Sequence, residues 1–224
     1  MNADLIKSAS AYYEARAPWH DSYMNYTGYD ALIELLKPFV DKVQGIMSGR
    51  SVLEIACGTG NWTQVLAHCA SHILATDISP GMLKIAQEKL AGFENAQFQC
   101  ADAYTLDNIT RSFNAALGID WWSHLPKGKI KKFLATLHQK LEPHSPVIFI
   151  DMLPTPELLA VHYYYDTEGN GIDRRVLPGG KVFEVVKNFP TPGELREALG
   201  DKADDICYEE DDILKRWILN YKYI

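Results

Sequence analysis

Between Val52 and Leu153 short apolar runs alternate with longer amphipathic segments, and this alternation constrains the fold more than any other feature of the chain. "SVLEIA", "HILATD", "AQFQCAD", "FNAALGID" and "PVIFIDM" read as strands. "NWTQVLAHCA", "PGMLKIAQEKLAG" and "KGKIKKFLATLHQKLE" read as the helices between them, with Pro80 in a first turn and Gly92 beyond an end. Continuous apolar strands joined by helical crossovers belong in a parallel sheet covered on both faces. A chain of 224 residues with 47% hydrophobic content fits one domain with a full core.

The flanks read differently. Ala3 to Arg16 and Tyr29 to Val43 predict two helices, and Leu5, Ile6, Ala9, Tyr12 and Tyr13 give the first an apolar face. Beyond Pro154, "IDRRVLPGGKVFEVVKNF" predicts a β-hairpin turning at Pro178-Gly179-Gly180. "TPGELREALG" predicts a short helix with a capping box between Thr191 and Glu194. Strands around "DDICYEE" and "LKRWILNYKYI" close the chain. The expected division is a helical lid (1–48), a core (49–153), an insertion with the hairpin (154–190) and a C-terminal helix with strands (191–224).

Charge narrows the partners. A net charge of −7 and a pI near 5.5 disfavour a nucleic-acid binder, because phosphate backbones require a basic surface. Cys57, Cys69, Cys100 and Cys207 show no paired spacing and read as thiols in a reducing compartment. With Asp4 early and every apolar run short of the roughly 20 residues that span a bilayer, the expectation is a cytoplasmic protein without a signal peptide or membrane partner. The acidic cluster Glu209 to Asp212, with Asp204 and Asp205 nearby, lacks His or Cys company and calcium-loop spacing, so no metal is expected.

Chemistry concentrates in "VLEIACGTGNWT". Glu54-x-Ala56-x-Gly58-x-Gly60 ends the first strand in a glycine turn, where open α/β sheets bind ligands. A dinucleotide fingerprint needs a third glycine where Thr63 stands, which turns the reading from NAD toward another adenosine ligand. Asp77 ends the second strand, where a carboxylate can accept from ribose hydroxyls, and Asp102 ends the third.

This constellation resembles the class I S-adenosylmethionine-dependent methyltransferases. The resemblance implies a Rossmann-like doubly wound α/β sheet, mostly parallel with an antiparallel C-terminal strand, an N-terminal helical lid and an inserted β-hairpin. It implies S-adenosylmethionine as cofactor, S-adenosylhomocysteine as product and no metal. Gly58 and Gly60 would then meet the methionyl part, Asp77 the ribose and Asp102 the adenine amine. Glu54, Ala56, Trp62, Ile78, Met82, Ala103 and Ile119, in or beside these segments, complete the expected cofactor set. "SAYYEARAPWHD", "WWSHLP" and "RRVLPGGKVFEVVKNFPTPGELREAL", read in order with the glycine loop, are similar to a group of small bacterial methyltransferases of the dehydrophos phosphonate O-methyltransferase type.

The acceptor side is read from "GIDWWSHLP" and from cations near aromatic residues. Trp121 and Trp122 suit a water-poor wall, and His124 suits orienting or deprotonating a nucleophile. Tyr12, Tyr13 and Arg16 on the first helix, Arg174 beside Arg175 in the hairpin, and Lys187 in an apolar row suit an anionic small molecule. A phosphonate or carboxylate O-methylation by a monomer or homodimer is the leading expectation. A nicotinamide-dependent oxidoreductase and an inactive adenosine-binding scaffold are the alternatives.

Overall fold

The computed structural model describes residues 2–24, 28–160 and 163–224. Helix α1 (Asn2–Arg16) runs into two 3-10 turns, Ala17–Trp19 and Asp21–Tyr23. The single helix expected from Tyr29 to Val43 is two, α2 (Tyr29–Leu35) and α3 (Lys37–Met47). Pro38 in the first turn of α3 explains the break, since it lacks an N–H and its ring obstructs a preceding helical turn.

The alternating region then forms β1 (Ser51–Ile55), α4 (Asn61–Ala67), β2 (His72–Asp77), α5 (Pro80–Lys89) and β3 (Ala96–Cys100). It continues through β4 (Ala115–Ile119), α6 (Ile130–His138) and β5 (Pro146–Met152). A short helix, α7 (Pro156–Ala160), leads to β6 (Tyr163–Tyr165), β7 (Gly171–Val176) and β8 (Val182–Val186). Helix α8 (Pro192–Leu199) carries the expected capping box, and β9 (Ala203–Asp211) and β10 (Arg216–Tyr223) finish the chain. No helix among the described residues is long and apolar enough to cross a membrane.

Seven strands make one sheet in the order β3-β2-β1-β4-β5-β10-β9. From β3 to β5 all neighbours are parallel, and β10 runs antiparallel to both β5 and β9. Strand order reverses between β1 and β4, so the crevice outside their carboxyl ends is where such sheets take ligands. Alternate residues of β1 face opposite layers: Val52 joins Val43, Leu66 and Ile73, while Leu53 and Ile55 join Phe133, Phe149 and Trp217.

The hairpin gains a third strand, β6, and forms a separate sheet in the order β6-β7-β8. Tyr12 of α1 packs with Leu177, Phe183 and Val185 of this sheet, which joins the N-terminal helix to the insertion. Glu14 accepts from Ser79 Oγ at 2.5 Å and from the Gly81 amide at 3.0 Å, at the start of α5. Asp21 accepts from Thr59 Oγ1 at 2.5 Å, Asn61 Nδ2 at 3.2 Å and Lys89 Nζ at 2.9 Å. Two carboxylates thus tie the N-terminal segment across the glycine loop.

Candidate functional site

The chain leaves β1 through three left-handed residues, Ala56 (φ 54), Gly58 (φ 56) and Gly60 (φ 79). The Gly58 amide donates to Asp77 Oδ2 at 2.9 Å, and the Ser79 amide donates to Asp77 Oδ1 at 2.9 Å. Burial pushes the Asp77 carboxyl up, against the pull of those amides. Asp77 therefore organises the loop from beneath while facing the crevice.

The two glycines differ. Gly58 lines the cavity, and Gly60 does not. A Cβ on Gly60 would stand 2.9 Å from Leu90 Cδ1 and 3.0 Å from Ala86 Cβ, so its bare backbone serves the packing of α5. Glu54 also lies behind the cavity wall, where it accepts from Thr63 Oγ1 at 2.6 Å. Burial pushes its carboxyl up to about 8, opposed by the Thr63 hydroxyl and reinforced by Asp77. Thr63, read from sequence only as a missing glycine, is the partner that makes a buried Glu54 tolerable.

One cavity of about 510 Å³ lies at the switch point, within the range of sites for small ligands. The loop contributes Ala56, Gly58 and Trp62; the β2 end and α5 contribute Asp77, Ile78 and Met82. Asp102 and Ala103 follow β3, and Ile119 ends β4. Asp102 Oδ1 accepts the Tyr104 amide at 2.8 Å.

Of the expected acceptor residues, Tyr13, Arg16, Trp121, His124 and Lys187 reach this cavity. Three do not. Tyr12 is a packing residue, edge-on to Phe183 at 5.6 Å, with its hydroxyl taking Arg16 Nη1 at 3.3 Å. Trp122 is core, 2% exposed, edge-on to Phe149 at 5.0 Å. Arg174 points to the outer face of the hairpin and pairs with Glu184, because strand alternation sends its neighbour Arg175 inward. Arg175 donates from Nε to Asp173 at 2.7 Å and from Nη1 to the Tyr13 hydroxyl at 3.0 Å.

Tyr13 and His124 are linked at 2.8 Å through the hydroxyl and Nε2. His124 Nδ1 lies 2.7 Å from the Val186 carbonyl, which can only accept. Nδ1 therefore carries the proton, and Nε2 accepts from Tyr13. Burial holds the His124 imidazole well below its ordinary pKa, helped by the Lys187 and Arg175 charges, so the ring is neutral. Burial pushes the Tyr13 phenol up. Lys187 Nζ donates to Ser123 Oγ at 2.8 Å and sits 3.4 Å from Asp151 Oδ1, so its ammonium already has an acid.

Further cavity residues carried no legible spacing. Asp120, left-handed at φ 52, pairs with Arg216 through Nη1 at 2.7 Å and Nη2 at 3.2 Å. His20 stands over the loop, its Nε2 3.7 Å from the place of a Cβ on Gly58. An aspartate placed directly after the apolar run of β4 was the nearest thing to a sequence signal.

Three polar atoms of cavity-lining residues, Arg16 Nε, His20 Nδ1 and Trp121 Nε1, are buried without a hydrogen-bond partner among the described residues. Buried polar groups are seldom left unpaired, so the wall fits a polar ligand. No group of three metal-ligating side chains occurs among the described residues.

Comparisons with known proteins agree. Residues 52–144 match the family described as a methyltransferase domain. The structure of DhpI solved with SAM and HEP is 27% identical, covers 99% of this chain and 98% of that one, and superposes with a TM-score of 0.77. The DhpI complex with SAH gives 26% identity, the same coverage and a TM-score of 0.76. Demethylmenaquinone methyltransferase of Clavibacter sepedonicus is 38% identical over 69 residues, 31% of this chain; the match spans only 28% of that relative. Residues 52–144 carry a methyltransferase domain, and in fold the chain resembles the class I S-adenosylmethionine-dependent methyltransferases. It is similar over nearly its whole length to DhpI.

Proposed function

We propose that the chain transfers a methyl group to an oxygen of a small anionic acceptor, a phosphonate or a carboxylate. The carrying observation is the distribution of charge. In a chain of net charge −7, four cations, Arg16, Arg175, Lys187 and Arg216, line one cavity. Asp77, Asp102 and Asp120 line the same cavity and three of the cations are paired with carboxylates, so what favours an anion is local: guanidinium hydrogens left over beside a pair, not a net positive field. Arg175, with Nε on Asp173 and Nη1 on the Tyr13 oxygen, keeps its remaining guanidinium hydrogens for an oxyanion, while the Tyr13 proton is already given to His124.

In this reading Asp77 accepts from the ribose hydroxyls, since a carboxylate has lone pairs beyond the two its loop amides use. Asp102 keeps Oδ2 for the adenine amine. Ala56, Gly58, Trp62, Ile78, Met82, Ala103 and Ile119 supply the surrounding wall. The described parts of 1–48 and of the insertion 154–190 close over the core 49–153 in this reading, and 191–224 completes the sheet.

S-adenosylmethionine, when bound, supplies a methyl activated on a sulfonium for in-line displacement. The protein's part is alignment and exclusion of water. An ionised acceptor needs no general base. Both ring nitrogens of His124 are engaged, so it positions the Tyr13 hydroxyl, and through it Arg175.

Release of S-adenosylhomocysteine with a panel of phosphonates, carboxylates, phenols and amines tests the reading. Turnover is expected with one of the two anionic classes and none with amines; turnover confined to amines or phenols would refute it. A His124→Asn variant, which keeps a donor and an acceptor in place of the ring, retains most of the turnover if His124 positions, and loses it if His124 takes the proton.

A further inference from the structure

The cavity passes over the tip of β5, and the two sides of that tip differ. Asp151 and Met152 are neighbours there and point to opposite faces of the sheet. Asp151 turns to the polar side, where it meets Lys187 Nζ at 3.4 Å and accepts the Ser123 amide at 2.8 Å, beside His124. Met152 pairs across the sheet with Arg216 and turns the other way. Ile150 and Ile218, two residues back on the same strands, belong to the core layer that contains Leu36 and against which Leu214 packs. Met152, Leu36 and Leu214 all line the cavity on this second side.

The second side is apolar out to its rim. Arg216, its cation, is already forked onto Asp120, and beyond it stand Leu35, Leu36, Met152, Ile213 and Leu214. None of these five belongs to the wall assigned above to the cofactor. Leu36 is buried, and Met152 and Leu214 are half-buried, yet Leu35 is 39% and Ile213 is 92% exposed. A lone exposed leucine or isoleucine is ordinary, but an apolar strip that continues from inside a cavity onto its rim marks a binding surface. The exposure of Ile213 is also built in. Asp211 Oδ1 accepts the Ile213 amide at 2.9 Å and the Leu214 amide at 2.8 Å, which fixes the β9–β10 turn with both side chains at the cavity.

We infer that the acceptor is amphipathic: its oxyanion sits on the polar side with Arg175 and Lys187, and an uncharged hydrocarbon body lies over Met152 and Leu214 and reaches the rim at Leu35 and Ile213. This rests on the anionic acceptor proposed above and adds what the anion is attached to. An acid of only a few atoms would fill the polar side and leave the apolar strip in water, whereas a hydrocarbon body removes both surfaces from water at once. Continuity of the strip with the cavity interior makes the acceptor its occupant, rather than a membrane or a second copy of the chain.

Calorimetric titration of the full chain, loaded with S-adenosylhomocysteine, tests this with methyl-, propyl- and hexylphosphonate and with straight-chain carboxylates and primary amines of the same lengths. Affinity in an anionic series is expected to rise roughly two- to fourfold per methylene, the scale for burying hydrocarbon. Ile213→Asp is expected to cut the hexyl-to-methyl affinity ratio roughly fivefold or more, because the added charge must lose water when a hydrocarbon covers it. Leu35→Gln should act in the same direction, and it carries the test if Ile213→Asp does not fold. Val176→Asp, at an exposed valine of the hairpin outside the cavity, should keep the wild-type ratio. No rise with length in any series, or a rise unaltered in both rim variants, overturns the hydrocarbon body; vesicle binding or self-association lost in Ile213→Asp would then name the other occupant. A rise confined to the amines and lost in Ile213→Asp upholds the apolar body and overturns the anionic reading instead.

Discussion

The two ends of the cavity are built by different means. The end proposed for the donor comes from one stretch of chain, Ala56 to Ala103, with Ile119 beside it. Its geometry is held by backbone groups, the Gly58 and Ser79 amides on Asp77 and the Tyr104 amide on Asp102. The opposite end gathers Tyr13 from α1, Trp121 and His124 from the turn after β4, Arg175 from β7, Lys187 after β8 and Arg216 from β10. There the bonds run between side chains far apart in sequence: Tyr13 to His124, Lys187 to Ser123, Arg216 to Asp120. Backbone-held geometry depends little on distant residues, so a side-chain substitution at the acceptor end leaves the donor end's frame in place. This division suits a scaffold on which fold alone does not dictate the substrate.

The sharpest way to break that contrast is Asp77→Asn. It replaces a carboxylate that accepts two backbone amides and is proposed to hold the ribose. S-adenosylhomocysteine affinity should fall roughly 100-fold or more, the scale for disrupting a buried charge-assisted contact. Retained affinity in a calorimetric titration would mean that the loop is not organised from Asp77.

The acceptor end is tested by two adjacent arginines. Arg175→Met should raise the acceptor KM roughly 10- to 100-fold with S-adenosylhomocysteine affinity intact, as expected for lost hydrogen bonds to a charged group. Arg174→Met removes a surface pair with Glu184, whose side chains are 54% and 42% exposed, and should leave both constants unchanged. Equal effects of the two substitutions would erase the distinction between the hairpin's faces.

The smallest effect concerns stability. Burial holds the Glu54 carboxyl at about 8, above its unfolded value, so the folded state keeps a proton that the unfolded chain has released. The associated stability is present at low pH and lost as pH rises toward 8. Between pH 7 and 8.5 the wild type should lose stability relative to Glu54→Gln by roughly 1 kcal/mol per pH unit, read by urea unfolding. His20 and His138, depressed to about 4, act in the opposite sense and below pH 6.5, outside that window.

Much of the architecture was legible because periodicity reports burial. The strand runs of β1, β2, β4 and β5 are continuous and apolar because both of their faces are covered, and the Thr191 to Glu194 capping box marked α8 directly. The break at Pro38 was legible in principle, since proline in a first turn signals a new helix. β6 was not, because a three-residue strand carries no period of its own. In the cavity, Lys187 was read for its charge, but the acid that neutralises it, Asp151, sits in an apolar run that looked like nothing but strand.

The amino-acid order by itself determined the parallel sheet, the glycine turn after β1 and the acids Asp77 and Asp102 at the next two strand ends, because these depend on local spacing and backbone conformation. Only the tertiary structure decided that Gly60 serves packing, that Arg175 rather than Arg174 faces inward, and that Arg16 alone among the cavity cations lacks an acid among the described residues. Those outcomes depend on which distant side chains meet and which charges are already compensated, and pairing across the fold leaves no periodic trace in the chain.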